Sequence, residues 1–137
     1  MIKNKFEGWL IKTPFGILPN KFIFKDSYEQ TPLQRMDLDP RRNAKGLLIR
    51  NVLPYAATTI KFQTIPMTLD QKLEFQQYFS SSDREKITLT YWCDETNDYR
   101  TADFYIPDIT WSWYGLLGGV PYYNSCQIEL IGYGEEV

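Results

Sequence analysis

The segment Ile87–Ile106 restricts the fold of this chain more than any other part of the sequence. Over Ile87–Cys93 every second residue is apolar, with two threonines and a tryptophan in between. The polar run DETND follows, and Tyr99–Ile106 has the composition of a returning strand. A period of two is typical of a β-strand with one buried face. The segment therefore predicts an antiparallel hairpin whose first strand buries Ile87, Leu89, Tyr91 and Cys93.

A second alternating segment, TTIKFQTI, precedes the hairpin. It places Ile60, Phe62 and Thr64 on one face of a predicted strand, and Lys61 and Gln63 on the other. Shorter runs predict further strands. The predicted strand Leu47–Val52 is expected to end before Pro54. These further strands are Phe6–Ile11, Lys21–Lys25, Leu47–Val52, Ile109–Tyr114 and Tyr122–Tyr133.

The run PMTLDQKLEFQQYFSSSD predicts a helix over about residues 69–80. Thr68 is the expected N-cap, and Gln71 completes a capping box three residues later. Asp70 lies in the first turn, where negative charge is favourable. The apolar side of this helix carries Leu69, Leu73, Phe75 and Phe79.

Together these elements predict a mainly β fold, an antiparallel β-sandwich or incomplete barrel with one flanking α-helix. The 137 residues suit a single β-rich domain that spans residues 1–137. Within it, residues 1–35 are expected to form irregular N-terminal strands and loops, and residues 36–133 the core.

The composition argues against several classes of function. The chain has no histidine, which removes the commonest general base and zinc ligand and every Ser–His or Cys–His nucleophile pair. A net charge of −2 with mixed signs predicts no nucleic-acid specificity and no membrane binding. No apolar run follows the charged Met1–Lys5, so we expect no export signal. Cys93 and Cys126 are then predicted to be buried free thiols rather than a disulfide.

The acidic residues lie in predicted turns. Asp37 and Asp39 flank Leu38, and the DETND turn holds three more carboxylates. A glycosidase requires two carboxyl groups, one of which lies in an apolar pocket. Nothing in the sequence around these turns predicts such a pocket. DETND also lacks the glycine and the final glutamate of a calcium-binding loop. We therefore expect solvated acids rather than a hydrolase: no enzymatic activity, no catalytic, metal or cofactor-binding residues, and no cofactor.

A cluster of basic residues lies close to these acids in the sequence. Two interpretations stay open: a solvated loop that forms ion pairs, or a protein–protein contact, since arginine pairs with a carboxylate in two places at once. A nucleic-acid groove would require more basic residues with interleaved aromatic ones. The basic residues are Arg35, Arg41, Arg42, Lys45 and Arg50.

Two tryptophans near the C-terminus are candidates for ligand binding. Trp111 and Trp113 are spaced to share one face of a strand, where they could form a platform that stacks sugar rings. The same spacing is typical of core residues or of a subunit contact, and in a domain of this size it favours packing.

The run GLLGGVP follows these tryptophans and is predicted to be a flexible apolar loop. Exposing Leu116, Leu117 and Val120 to water is unfavourable. The glycines of the run do little to stabilise a single conformation of the loop. The run therefore predicts contact with a partner.

The order of these segments resembles that of small tail proteins of long-tailed bacteriophages, which are related in fold to tail-tube and distal-tail proteins. DLD is followed by RNAKGLLIR, the strand TTIKFQ, the helix TLDQKLEFQQYF, the strand ITLTYWCD, a polar turn and ADFYIPDI. The resemblance covers about Met36–Ile109, and the final strand QIELIGYG is in keeping with it. Met1–Gln30 and Gly115–Tyr123 are not explained by it.

The resemblance implies a structural role in the virion. Such proteins are β-sandwich protomers that close into rings, typically hexamers, around the tail axis. For this chain it implies a component of the tail tip, baseplate or tube, assembled in the host cytoplasm, with copies of itself and other tail proteins as partners. Met36–Arg50 and Gly115–Pro121 would then contact neighbouring subunits or rings. A carbohydrate-binding module that uses Trp111 and Trp113 is the alternative.

Overall fold

The computed structural model of the chain describes residues 3–37, 41–42, 44–49, 52–80 and 84–136. The helix α1 (Leu69–Gln76) is accompanied by a short 3-10 turn at Asn20–Phe22. The strands are β1 (Ile11–Thr13), β2 (Gly16–Ile17), β3 (Glu29–Asp37), β4 (Arg41–Arg42), β5 (Leu48–Ile49), β6 (Val52–Gln63), β7 (Met67–Thr68), β8 (Ile87–Cys93), β9 (Asp98–Tyr105), β10 (Trp113–Leu117), β11 (Val120–Tyr123), β12 (Gln127–Gly132) and β13 (Glu135–Glu136).

Most of these strands belong to one antiparallel sheet, which has eight strands in the described part of the chain. The long strand β6 pairs with β3 along one edge and with β12 and β13 along the other. From β12 the sheet continues through β9, β8 and β1 to β2. A smaller sheet has the order β10–β11–β7, and β4 and β5 form a two-stranded ribbon. This architecture confirms the predicted class, mainly antiparallel β with one flanking helix.

The predicted hairpin is present. β8 and β9 pair continuously from Ile87 opposite Phe104 to Cys93 opposite Asp98. All four apolar residues predicted to face inward from β8 are buried, and in β6 the inward residues are those expected from the alternation. β6 and the β8–β9 hairpin each have one buried face. The alternation of apolar and polar residues in the sequence therefore located both of them.

The capping box that begins α1 is formed as predicted. The Gln71 amide donates to Thr68 Oγ1 over 3.4 Å, and the Thr68 amide donates to Gln71 Oε1 over 3.0 Å. The helix ends at Gln76 rather than near residue 80. The amides of Tyr78 and Phe79 bond to carbonyls three residues back, at 3.1 and 3.3 Å, so the chain tightens into a turn there.

The C-terminal strands differ from their predicted positions. The strand expected at Ile109–Tyr114 begins only at Trp113, because residues 109–112 cross from the main sheet to the smaller one. Ile109 and Trp111 are partly buried against the core. This packing, and not strand pairing, explains why apolar residues occur at these positions. The single strand predicted at Tyr122–Tyr133 is two strands: β11 pairs with β10, whereas β12 pairs with β6 and β9.

The two N-terminal strands are also displaced. β1 begins at Ile11, where pairing with Tyr91 of β8 starts, instead of covering Phe6–Ile11. Lys21–Lys25 contains the end of the 3-10 turn and a single bridge from Ile23. These runs are apolar enough for strands, but only Ile11 of the first run and Ile23 of the second lie in a ladder or bridge.

Residues 35 and 36, where the irregular N-terminal strands and loops were expected to meet the core, lie in one strand. β3 crosses that position and pairs with β6, with its register shifted between Arg35, opposite Ala56, and Asp37, opposite Val52. Pro54 lies inside β6 between Val52 and Ala56, where the register shifts. Proline is tolerated at such irregular points of a sheet, so it does not end a strand here. Of the predicted strand at residues 47–52, β5 covers two residues and residues 50–51 lie outside the described ones.

One hydrophobic core joins the N-terminal region to the later strands. Leu18 and Phe22 belong to the same buried cluster as Phe75 of α1 and the inward residues of β6 and β8. Cys93 and Cys126 are both buried free thiols, as predicted, and burial raises the pKa of Cys126. Within the described ranges, no helix is both long and apolar enough to cross a membrane.

Candidate interaction surface

The hairpin of β10 and β11, residues 113–123, is termed the arm here. Leu117 pairs with Val120, so Gly118 and Gly119 form a two-residue turn. Both glycines have positive φ, 61° and 80°, which the tight hairpin turn of type I′ requires and which glycine adopts without steric cost. GLLGGVP is therefore an ordered hairpin tip and not the flexible loop predicted from its glycines.

Apolar side chains cover the tip of the arm. Leu116, Leu117 and Val120 are 58%, 53% and 40% exposed. Leu116 and Leu117 are adjacent in one strand and therefore point to opposite faces, so both faces of the tip are apolar. Residues 109–128 include no charged side chain. The tip therefore presents an exposed apolar surface without charged side chains of its own.

The base of the arm is held by ring contacts. Trp111 packs edge-on against Phe75 and Tyr123, with ring centroids 6.4 and 6.5 Å apart. Lys72 Nζ lies 4.6 Å from the centroid of the Trp111 ring, a cation–π contact. The Asn124 amide donates to the Ser112 carbonyl over 2.9 Å. The arm is thus fixed to α1 and β7 at its base while its tip is free of them.

The two candidate tryptophans have different environments. Trp111 is half-buried among the rings that hold the base of the arm, whereas Trp113 is 57% exposed and touches Tyr123 at a ring angle of 81°. They lie on either side of the point where β10 begins and so do not share a strand face as predicted. Trp113 alone offers an open ring.

The basic cluster is divided between two elements. Arg35 is exposed in β3, and the backbone of Asp37 pairs with that of Val52. Arg41 and Arg42 form β4 and pair with β5. Asp39 and Arg50 lie outside the described residues. The cluster therefore belongs to a strand end and a ribbon rather than to one long irregular loop.

Asp94 and Glu95 of the DETND turn are exposed, as expected for solvated carboxylates, and Asp98 is partly exposed. Asp98 accepts a hydrogen bond from the Tyr99 amide and pairs with Lys5 over 3.2 Å. These contacts, the amide first, hold the pKa of Asp98 below its ordinary value. In the described ranges no three acidic or thiol side chains are grouped so that they could hold a metal ion.

A pair of tyrosines forms a second exposed surface, which the sequence analysis did not single out. The rings of Tyr105 and Tyr133 meet edge to face with centroids 5.8 Å apart, and with Glu85 they line a notch of about 310 Å³. The Tyr133 hydroxyl donates to the Glu85 carbonyl. The exposure of Tyr105 could have been read from the sequence, because Tyr105 lies between the apolar Phe104 and Ile106, which are buried. The alternation of a strand then places Tyr105 on the outer face.

A buried polar network lies on the inner side of the main sheet. Glu135 of β13 accepts hydrogen bonds from Arg100 over 2.8 Å and from the Tyr91 hydroxyl. Thr58 lies 3.0 Å from that hydroxyl and accepts from the Leu33 amide over 3.1 Å. Burial, and then the bond to Glu135, raise the pKa of Tyr91. The network joins β6, β8, β9 and β13, and Arg100 and Glu135 also line an open surface depression of about 400 Å³.

The fold and surface define a small antiparallel β protein that presents an apolar arm. A family profile matches residues 3–133, and the chain belongs to that family, described as a family of unknown function (DUF6711). Among solved structures, a chain of "Virion of native gene transfer agent (GTA) particle" is similar over 97% of this chain and 96% of its own length. The TM-score is 0.50 and the identity 15%, so the similarity concerns the fold. No curated protein matches the chain.

Proposed function

We propose that this chain is a structural protein of a phage-like virion rather than an enzyme. The observation that carries the proposal is the fold shared with a chain of a gene transfer agent virion over nearly the whole of both chains. The order of sequence segments independently resembles small bacteriophage tail proteins.

The finer proposal places the chain in the tail, at the tip or baseplate or beside the tube. There it would act as one β-rich domain, assembled in the host cytoplasm, that forms a ring such as a hexamer and binds other tail proteins. The apolar arm and the free edge of β10 supply the kind of surface that such assembly uses. The proposed contact residues are Arg35, Asp37, Asp39, Arg41, Arg42, Arg50, Leu116, Leu117 and Val120.

Two measurements test this function. Light scattering and negative-stain microscopy of the purified protein are expected to show a closed oligomer. Mass spectrometry of particles released by cells that produce the protein is expected to find it in the particles, with antibody labelling at the tail. A protein that is absent from purified particles under conditions where other tail proteins are present would overturn the proposal.

A carbohydrate-binding module is the second candidate, and the exposed ring of Trp113 is the observation that favours it. Aromatic rings open to solvent stack on the apolar faces of sugars in the way they stack on other flat ligands. The half-buried Trp111 leaves the predicted two-ring platform with one accessible ring, so the virion role is the better supported of the two.

A further inference from the structure

The outer face of the β8–β9 hairpin carries two aromatic side chains beside the DETND turn. Trp92 lies opposite Tyr99 there, and both are partly buried. The neighbouring outward residues of the hairpin are polar: Thr88, Thr90, Thr101 and Asp103. Leaving two large rings open to water is unfavourable, so this end of the hairpin requires a cover.

Residues 3–9, termed the strap here, form that cover. The Trp9 ring stacks on Tyr99 with centroids 4.1 Å apart, and the Phe6 ring meets Trp92 edge-on at 5.3 Å. Neither strap ring belongs to the hydrophobic core cluster. The strap therefore carries aromatic residues because it covers the outer face of the hairpin.

Side chains from the rest of the chain hold the backbone of the strap. The Tyr99 hydroxyl accepts from the Glu7 amide and donates to the Trp9 carbonyl, both over 2.9 Å. The Asn20 side-chain amide donates to the Gly8 carbonyl over 2.8 Å. Main-chain bonds of this kind provide affinity for an extended peptide, and side-chain contacts provide specificity.

Charge also suits this segment. Lys5 Nζ lies 3.2 Å from the Asp98 carboxylate. The strap carries two lysines and one glutamate, whereas the DETND turn carries three acids and no basic residue. Opposite charges on two surfaces favour their encounter and act against partners of the wrong sign. Asp98, together with Asn20, Trp92 and Tyr99, is termed the groove.

The strap is attached to its own copy mainly through the groove. In the described part of the chain, no backbone-to-backbone hydrogen bond joins residues 3–9 to another segment. Such bonding begins at the Leu10 carbonyl, which accepts from the Trp92 amide over 2.9 Å. Lifting the strap therefore breaks no strand pairing and leaves the core cluster closed.

We propose that the groove also accepts the strap of a neighbouring copy, so that copies in the assembly exchange straps. The groove lies outside the strap and is the same in every copy, so an incoming strap forms the bonds that the resident strap forms. Exchange of an identical element is for this reason a low-cost route to association. Seven extended residues span roughly 23 Å, enough to reach an adjacent copy. The inference rests on the proposed function, which brings many copies together.

The Lys5–Asp98 ion pair allows a direct test on the unmodified chain. A carbodiimide joins a lysine amine to a carboxylate that it touches, and mass spectrometry identifies the joined peptides. Ordinary chains and chains labelled with heavy nitrogen are unfolded together in urea, refolded together and cross-linked. The matched control is Lys61–Glu129, a similarly exposed pair at 3.7 Å that joins paired strands of one sheet.

In the oligomer, mixed-label Lys5–Asp98 products are expected to approach the share for random pairing of the two labels, whereas Lys61–Glu129 products stay unmixed. Unmixed Lys5–Asp98 products in the oligomer would overturn the inference. So would the absence of a Lys5–Asp98 product where the Lys61–Glu129 product forms, or a protein that is monomeric up to about 1 mM.

A substitution in the groove tests whether the groove holds the exchanged strap. Tyr99→Ala is expected to lower the yield of mixed-label product roughly 10-fold, whereas Tyr55→Ala, at a 57% exposed position of β6, leaves it unchanged. Circular dichroism checks folding, and Tyr99→Phe, which loses both hydrogen bonds, replaces Tyr99→Ala if that variant unfolds. A parental yield in the folded groove variant would count against the proposal.

This result is separate from the test of the virion role. Unmixed products from a protein that is found in particles would remove strap exchange and leave the virion role in place. Mixed products from a protein that is absent from particles would do the reverse.

Discussion

Glu135 accepts a hydrogen bond from Arg100 Nε over 2.8 Å, and the side chain of Glu135 is only 8% exposed. Its second carboxylate oxygen accepts from the buried Tyr91 hydroxyl. Strand β13 is two residues long and pairs with β6, so backbone bonds alone hold it weakly. The carboxylate therefore anchors the end of the described chain to β8 and β9 as well as to β6.

Removing this carboxylate is expected to destabilise the fold. Glu135→Ala removes the carboxylate that accepts from the Tyr91 hydroxyl and from Arg100 Nε, leaving the hydroxyl with Thr58 and the guanidinium with the Glu136 carbonyl. Loss of these buried, charge-assisted bonds is expected to cost about 1–3 kcal/mol. Urea unfolding measures the loss. Glu136→Ala is the matched control, because it changes the neighbouring, exposed residue of the same strand and is expected to alter the free energy of unfolding by less than about 0.5 kcal/mol. Equal effects of the two substitutions would contradict the role given to Glu135.

The raised pKa of Tyr91 predicts a loss of stability in alkali. Burial is the main cause, and the hydrogen bond to Glu135 adds to it. Since the folded chain holds this proton more tightly, the stabilisation is complete below the ordinary tyrosine pKa of about 10 and decreases as the pH rises above it. Unfolding in urea at a series of pH values is expected to show a steeper alkaline decline for the parent than for Tyr91→Phe. Tyr114→Phe, at a 68% exposed position, should keep the parental slope; a parental slope in Tyr91→Phe would contradict the prediction.

The capping box predicts a local effect at the start of α1. Thr68→Ala removes the hydroxyl that accepts from the Gln71 amide, and loss of such an N-cap costs about 1 kcal/mol. Thr68→Ser keeps the hydroxyl and is expected to retain most of the stability. Thermal or urea unfolding compares the three proteins. The result that would count against this account is a serine variant as unstable as the alanine variant.

The two tryptophans are expected to respond differently to truncation. Trp111→Ala removes a half-buried ring from contact with Phe75 and Tyr123, so we expect a loss of about 1–3 kcal/mol, below the range for fully buried aromatic residues. Trp113→Ala removes a mostly exposed ring and is expected to cost less than about 1 kcal/mol. Urea unfolding checks both values.

A sugar titration tests the carbohydrate alternative at Trp113. The parent is titrated with a panel of cell-wall sugars, and binding is followed by tryptophan fluorescence. The virion proposal predicts no change in the spectrum. A sugar that shifts the emission of the parent but not that of Trp113→Ala would favour the alternative.

The strands with one buried face were predictable in detail. In Ile87–Cys93 the alternation alone identified the four inward residues, and the hairpin partner Tyr99–Ile106 was correct to within one residue at each end. The start of α1 was predictable because a capping box is a local exchange of hydrogen bonds between residues three apart. Both signals depend on neighbours in the sequence.

The elements that sequence reasoning misplaced all depend on distant partners. Residues 109–112 are as apolar as a strand, but they serve to cross between sheets and bury Trp111. β3 contains Pro32 and a residue with positive φ, Leu33, and is a strand only because β6 lies beside it. Its irregular register accommodates these residues, and no pattern within residues 29–37 shows where the shifts fall.

Some features of the candidate surface could be predicted from the sequence, and others depend on the tertiary structure. The apolar, charge-free character of the arm can be read from the sequence, because composition is a local property. That Gly118 and Gly119 close a two-residue hairpin turn with leucines on both faces depends on the pairing of β10 with β11 and on the ring contacts of Trp111 at the base. The tyrosine notch joins Tyr105, the last residue of β9, to Tyr133, which follows β12. The sequence by itself determined the β class and the central hairpin; only the tertiary structure decided which apolar residues stay exposed, because exposure depends on which strands meet across the sheet.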